Sequence, residues 1–339
     1  MNAGPMNAGP VNVGPMSAGS MSDRPMHAHP VGKIGVVGAG LIGRAWAMLF
    51  AQAGWRVDIF DASTAALDVC MQEIATMLED LHGAGLLREA QENILARIQP
   101  AATLAQACRD AVLVQENIRE TVAAKIEIFA QMDALAAPDT ILASSTSWIP
   151  ASSFTEHLAG RARCLVAHPA NPPYLIPLVE VSPAPWTSDA VAQATMALYA
   201  QIGQEPVLVR KEIQGFLLNR IQGAVLNEML NLYEQGYAST VDLDKVMKFG
   251  LGLRWSFMGP FETIDLNAPE GIADYAGRYG HTYAAVSRTQ APNSWNPDVI
   301  SKIEQERREQ LPQDALQRRA RWRDNRLMAL RRHQKDQPT

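Results

Sequence analysis

Cysteine is scarce in this chain, and its three copies, Cys70, Cys108 and Cys164, stand far apart. An odd, dispersed set fits neither a disulfide framework nor a zinc site of the usual spacing, so no metal is expected and a reducing compartment, the cytoplasm, is the simpler reading. Long apolar runs are missing as well. None approaches the roughly 18 residues that a membrane helix needs, because Arg44 interrupts even the longest candidate. Nor does one sign of charge dominate: a net charge of -5 and a pI near 5.8 give no general electrostatic reason to expect nucleic acid or an anionic membrane as partner. What remains is 339 residues, 47% hydrophobic and 19% charged, enough for two domains with substantial cores.

Residues 1–30 form a degenerate pentad array, MNAGP-MNAGP-VNVGP-MSAGS-MSDRP-MHAHP. Small residues, glycine and proline offer no face to bury, so this stretch is expected to be a disordered tail. It has no basic segment followed by an apolar one, and makes a poor signal or transit peptide. His27 and His29 in it are expected to bind nothing.

The stretch Lys33 to Asp61 is informative. K-I-G-V-V reads as a short buried strand, Gly38-Ala39-Gly40-Leu41-Ile42-Gly43 follows directly, and a helical apolar run continues to Ala53. This is the strand, tight turn and helix of a dinucleotide-binding unit. Gly38 would permit the turn, Gly40 would let a pyrophosphate approach the backbone, and Gly43 would allow close helix packing. The phosphates would sit on the N–H groups of the helix start, around Leu41 and Ile42. Arg56 to Phe60 reads as a second strand ending at Asp61, about 20 residues after the glycines, where an acid receives the ribose hydroxyls. No arginine follows to neutralise a 2′-phosphate, so the cofactor is expected to be NAD rather than NADP. Capping of the helix that starts near Thr64 is the competing role for Asp61.

Farther along, residues 64–81 and 88–98 read as a helical hairpin, Ala111 to Gln115 as a strand, Thr121 to Ala136 as a helix and Ile141 to Ser144 as a strand. Strands at Arg163 to Ala167, Leu178 to Ser182 and Pro206 to Val209 complete the series. Strands alternating with helices imply a Rossmann-type, doubly wound and mostly parallel sheet over residues 31–212. Beyond Gln214 the patterns are helical only, which places an all-helical domain over residues 213–339. Its arginine-rich end, from about Ala315, reads as a solvated helix. In such sheets ligands bind beyond the carboxyl ends of the strands, where Glu116, Asn117, Ser145, Thr146 and Ser147 stand.

His168 ends one strand, before the stiff sequence Pro169-Ala170-Asn171-Pro172-Pro173, and Glu180 lies in the strand that returns. If these strands pair, the carboxylate can fix the imidazole tautomer and stabilise its cation, leaving the other ring nitrogen to take a proton from a substrate hydroxyl. Alcohol oxidation by NAD needs such a base.

The strings VGAGLIGRAWAMLFA (37–51), AHPANPPYLIPLVEV (167–181), KEIQGFLLNR (211–220) and GLRWSFMGPFET (252–263) resemble the 3-hydroxyacyl-CoA dehydrogenase superfamily, and within it the lambda-crystallin / L-gulonate 3-dehydrogenase branch. The resemblance implies an NAD-binding Rossmann domain, a helical domain that forms a homodimer contact, and a catalytic pair at His168 and Glu180. It implies an active-site serine at Ser147 and an asparagine at Asn219, both bonding the reacting oxygen, and an acid-and-lysine pair, Glu120 and Lys125, near the nicotinamide. Acyl-CoA enzymes of the superfamily carry lysines in the hairpin after the second strand. Here residues 62–87 hold no lysine or arginine but include Asp68, Glu73, Glu79 and Asp80, which should repel a polyanionic CoA. That tilts the expected substrate toward a small free hydroxy acid, with Arg254 as candidate for its carboxylate, or else in a structural ion pair. Trp148, Trp255 and Phe257 could form a cage for a quaternary ammonium such as that of carnitine. The alternatives are the same chemistry on a 3-hydroxyacyl-CoA and a non-enzymatic, crystallin-like NAD-binding protein.

Overall fold

The computed structural model describes residues 32–337, so the pentad array lies outside the described residues. The opening unit is β1 (Lys33–Val37), α1 (Leu41–Gln52) and β2 (Arg56–Phe60). Next come α2 (Thr64–Gly83), α3 (Gln91–Leu95), β3 (Ile98–Pro100), α4 (Leu104–Cys108), β4 (Ala111–Glu116), α5 (Val122–Leu135), β5 (Ile141–Ser144) and α6 (Ser152–Thr155). β6 (Cys164–Pro169), β7 (Leu178–Pro183), α7 (Asp189–Gln201) and β8 (Glu205–Leu208) finish the sheet.

The strands lie in the order β3-β2-β1-β4-β5-β6-β7-β8, parallel throughout except between β6 and β7. Side chains alternate across the sheet and feed two apolar layers. Ile34, Val36 and Leu113 join Trp46, Phe50, Leu78 and Tyr199 in one layer. Val37, Val114 and Leu142 join Phe129, Met132 and Phe154 in the other. Both faces are covered, and for that reason the central strands read as unbroken apolar runs. β3 and α4 correct the sequence reading, in which the second arm of the hairpin runs to Ile98. A three-residue strand is too short to show alternation, and Pro100 is tolerated there because β3 is an edge.

Past Leu208 the described chain is helical: α8 (Leu218–Glu234), α9 (Thr240–Lys245), a π-helical turn at Val246–Leu251, α10 (Gly252–Trp255), α11 (Pro260–Asp265), α12 (Ile272–Ser287), α13 (Pro297–Gln310) and α14 (Leu316–Lys335). α14 keeps a solvated charged face but is docked along one side. Met328 is buried in the same apolar layer as Trp46, with Leu327 packed against it, and Gln334 Nε2 donates to the Ser256 carbonyl at 2.8 Å. The last helix therefore straps the helical segment to the sheet.

The three thiols are buried and unpaired, and burial pushes them up, Cys70 and Cys108 to about 11 and Cys164 to about 12. Since the thiolate is the reactive form, Ellman's reagent at pH 8 should label none of the three in the folded protein and all of them in denaturant; rapid labelling of any one before unfolding would contradict the packing described.

Candidate functional site

The glycine loop has the shape that its sequence suggests. Gly38 adopts φ +95°, and Gly43 packs so tightly that an added Cβ would lie 1.8 Å from the Gly38 carbonyl oxygen. Around Gly40 a Cβ would meet nothing within 4 Å, so the loop is open to a ligand. α1 begins there with no side-chain cap and no acid in its first turn, which leaves the N–H groups at Leu41 and Ile42 and the positive helix end to attract an anion. Asp61 ends β2 with one oxygen accepting from the Ala39 N–H at 2.9 Å and the other from the Ser63 N–H at 2.9 Å. The cap of α2 is Ser63, whose hydroxyl accepts from the Ala66 N–H, so Asp61 does not fill that role. An uncapped helix start, an open glycine and a strand-end acid beside them fit a dinucleotide with free ribose hydroxyls.

The antiparallel register of β6 and β7 sets His168 opposite Glu180. Nδ1 of His168 lies 2.8 Å from Glu180 Oε2, with the residues 5% and 1% exposed, respectively. Glu180 Oε1 accepts from the Leu217 and Leu218 N–H groups at 2.7 and 2.9 Å, which are the first amides of α8. The chain reaches that position through two left-handed residues, Gly215 (φ +76°) and Phe216 (φ +50°). For phenylalanine this conformation costs about 1–2 kcal/mol, offset by full burial of its ring 5.4 Å from that of His168. His168 Nε2 has no partner among the described residues.

Ser147 follows β5, and its hydroxyl likewise makes no hydrogen bond among the described residues. Its carbonyl accepts from Asn219 Nδ2 at 2.8 Å, so the structure brings Ser147, Asn219, His168 and Glu180 to the start of α8. Glu120 and Lys125, expected near the nicotinamide, take separate partners in the structure. Lys125 is buried with its ammonium 2.9 Å from both oxygens of Glu116. Glu116 also accepts from Ser144 Oγ and from the Ile118 N–H, each at 2.6 Å, which completes an interior ion pair. Glu120 instead turns to the residues around Ser147. The sequence signal for Glu116 was present, an acid ending an apolar strand, but nothing in the spacing tells which of two acids a lysine five or nine residues later will take.

Arg254, in α10, forms no ion pair among the described residues and no bond to His168, Glu180, Ser147 or Asn219; its Nε is buried without a partner. The structural ion pair is therefore not found among the described residues. No ring contact joins Trp148, Trp255 and Phe257. The acidic hairpin is less acidic in space than in sequence: Arg44 of α1 stands 3.8 Å from Glu73. Tyr174 is pushed up to about 12, first by burial and then by Asp324 of α14 and Asp80 of α2.

Residues 33–213 match the NAD binding domain of 3-hydroxyacyl-CoA dehydrogenase, and residues 215–309 match its C-terminal domain. The chain is similar to the lambda-crystallin homolog of Bos taurus, 42% identical over 88% of this chain and 94% of that one. It is 35% identical to an L-carnitine dehydrogenase of Pseudomonas sp over 72% of this chain and 75% of its relative. Among solved structures, (S)-3-hydroxybutyryl-CoA dehydrogenase from Ralstonia eutropha aligns with a TM-score of 0.62 at 28% identity, covering 76% of this chain and 89% of that one. FHMPC 5-dehydrogenase shares the fold, with a TM-score of 0.79 at 24% identity over 91% of this chain and 100% of that one. The glycine loop, the strand-end acid and these matches agree: the chain belongs to the 3-hydroxyacyl-CoA dehydrogenase family and is an NAD-dependent oxidoreductase acting on a CH–OH group.

Proposed function

We propose that this enzyme oxidises the 3-hydroxyl of a small free 3-hydroxy acid, L-gulonate first among the candidates, with His168 as the base. The observation that carries the catalytic part is the buried His168 to Glu180 bond at 2.8 Å, which leaves Nε2 as the ring nitrogen able to take a proton. Glu180 holds the ring orientation and stabilises the imidazolium as that proton arrives. Ser147, with its unengaged hydroxyl, and Asn219 hold the reacting oxygen while its charge changes. NAD, when bound on the glycine loop, supplies the hydride acceptor.

Two observations support a free acid. A relative at 35% identity, the L-carnitine dehydrogenase, is named for a small free hydroxy acid. The hairpin after β2 also lacks any lysine for a CoA phosphate, although Arg44 stands 3.8 Å from Glu73. The reading includes a homodimer through the helical segment. Phe249, Leu253, Phe257 and Phe261 are 64, 65, 71 and 78% exposed there, an apolar face of the kind that marks a protein contact. Such a contact is also where Arg254 could find the acid that it lacks. A cytoplasmic enzyme with no nucleic-acid or membrane partner completes the reading; no described helix is long and apolar enough to cross a membrane.

His168→Ala should lower turnover roughly 10²-fold or more while NADH affinity, followed by fluorescence titration, stays nearly unchanged. Near-native turnover of that variant would place the base elsewhere.

Initial rates with NAD on L-gulonate, 3-hydroxybutyrate, L-carnitine and 3-hydroxybutyryl-CoA at matched concentrations should give a free hydroxy acid, L-gulonate first, the highest kcat/KM. If the CoA thioester leads, the substrate part of this reading fails while the base and cofactor stand.

A further inference from the structure

We propose that Asn117 is a positioning residue for the glycine loop, held in one orientation by a buried chain of hydrogen bonds that runs from α7 to the ends of β4 and β5. The proposal rests on the reading of that loop as the seat of the cofactor. Asn117 forms the floor of the loop. A Cβ on Gly38 would stand 2.8 Å from the Asn117 carbonyl oxygen, and one on Gly43 would stand 3.5 Å from its Nδ2. The Asn117 N–H donates at 2.7 Å to the carbonyl of Val37, the residue before Gly38. Nδ2 donates to the Gln115 carbonyl at 2.8 Å and to the Val37 carbonyl at 3.3 Å.

At the other end of the same amide, Oδ1 accepts from Ser145 Oγ at 2.7 Å. Ser145 Oγ is a hub, accepting from Trp46 Nε1 at 3.0 Å and from Gln115 Nε2 at 2.7 Å. Gln115 Oε1 in turn accepts from the Tyr199 hydroxyl. Trp46, Gln115 and Tyr199 are fully buried. The direction of each bond follows from the ends of the chain. The two carbonyls beside Asn117 can only accept, so Nδ2 faces them and Oδ1 faces Ser145. Ser145 spends its one proton on Asn117 and must accept from both Trp46 and Gln115, which leaves Gln115 Oε1 for Tyr199. Tyr199 keeps its proton, since burial pushes its phenol far above the ordinary range. Reversing either amide would set like groups against each other in the interior, where an unpaired polar group is costly. The chain thus ties Asn117 to α1, β4 and α7 together, and α1 is the helix whose N-terminus the loop opens to the phosphates.

Fluorescence titration of the full-length protein with NADH, alongside its Tm without cofactor, tests this. Asn117→Ala and Ser145→Ala should each raise the NADH Kd about tenfold, the equivalent of one buried hydrogen bond. The double variant should bind no more weakly than the weaker single one, since the two residues act as one unit. Tyr199→Phe removes a single oxygen at the far end of the chain and should raise Kd about threefold. In each variant kcat at saturating NAD should fall less than affinity does. Trp186→Phe breaks a bond of the same kind outside the chain, from Nε1 to Thr155 Oγ1 at 3.1 Å. It should lower Tm and leave the NADH Kd native. A native Kd in Asn117→Ala or in Tyr199→Phe, whatever the Tm, would reduce the chain to core packing and overturn the proposal, as would factors that multiply in the double variant. Gly40→Ala tests the loop itself: its Cβ meets no protein atom within 4 Å, so weaker NADH binding would come from the cofactor side. Native affinity in that variant would remove the reading of the loop and this proposal with it, a result distinct from a native Kd in Asn117→Ala.

Discussion

The carboxylate of Glu180 is the joint on which the molecule depends. One oxygen orients His168 and the other receives the first two amides of α8, so a single side chain on the sheet anchors both the proposed base and the helical segment. The geometry is economical because a helix start offers unpaired N–H groups and the positive end of its dipole, both of which favour an anion. A buried carboxylate without such donors would be costly. The left-handed turn at Gly215 and Phe216 exists to deliver that helix end, and Phe216 covers the imidazole in doing so.

A second buried charge, Glu116 with Lys125, is satisfied internally and has a different task. Lys125 lies on α5 and Glu116 at the end of β4, and Ser144 at the end of β5 shares the same carboxylate. Two neighbouring strand ends and a helix are thereby fixed together beneath the site. Removing one partner of such a pair leaves an uncompensated charge inside the protein. Trp46, Gln115, Ser145, Asn117 and Tyr199 form a comparable polar chain on the other side of the β4 and β5 ends.

How much of this was legible in the sequence follows from the range of the interactions. The glycine loop and Asp61 were readable because each is local: tight turns, an uncapped helix and a strand end are written in adjacent residues. His168 and Glu180 were readable once their strands were expected to pair, because antiparallel register fixes which residues face each other. β3 was not, being three residues at an edge. The partner of Lys125 was not, because both acids lie within its reach and burial decided between them. The docking of α14 was hidden by its arginines; Met328 is its one buried residue, with Leu327 packed beside it.

The central claim is that the sheet and the helical segment are coupled through Glu180. Amide hydrogen exchange at Leu217 and Leu218, compared between the native protein and Glu180→Ala, tests it most directly. The account predicts that both amides are protected in the native protein and exchange far faster in the variant, while the amides of β1 and β4 stay protected. Equal protection of Leu217 and Leu218 in the two proteins would contradict it.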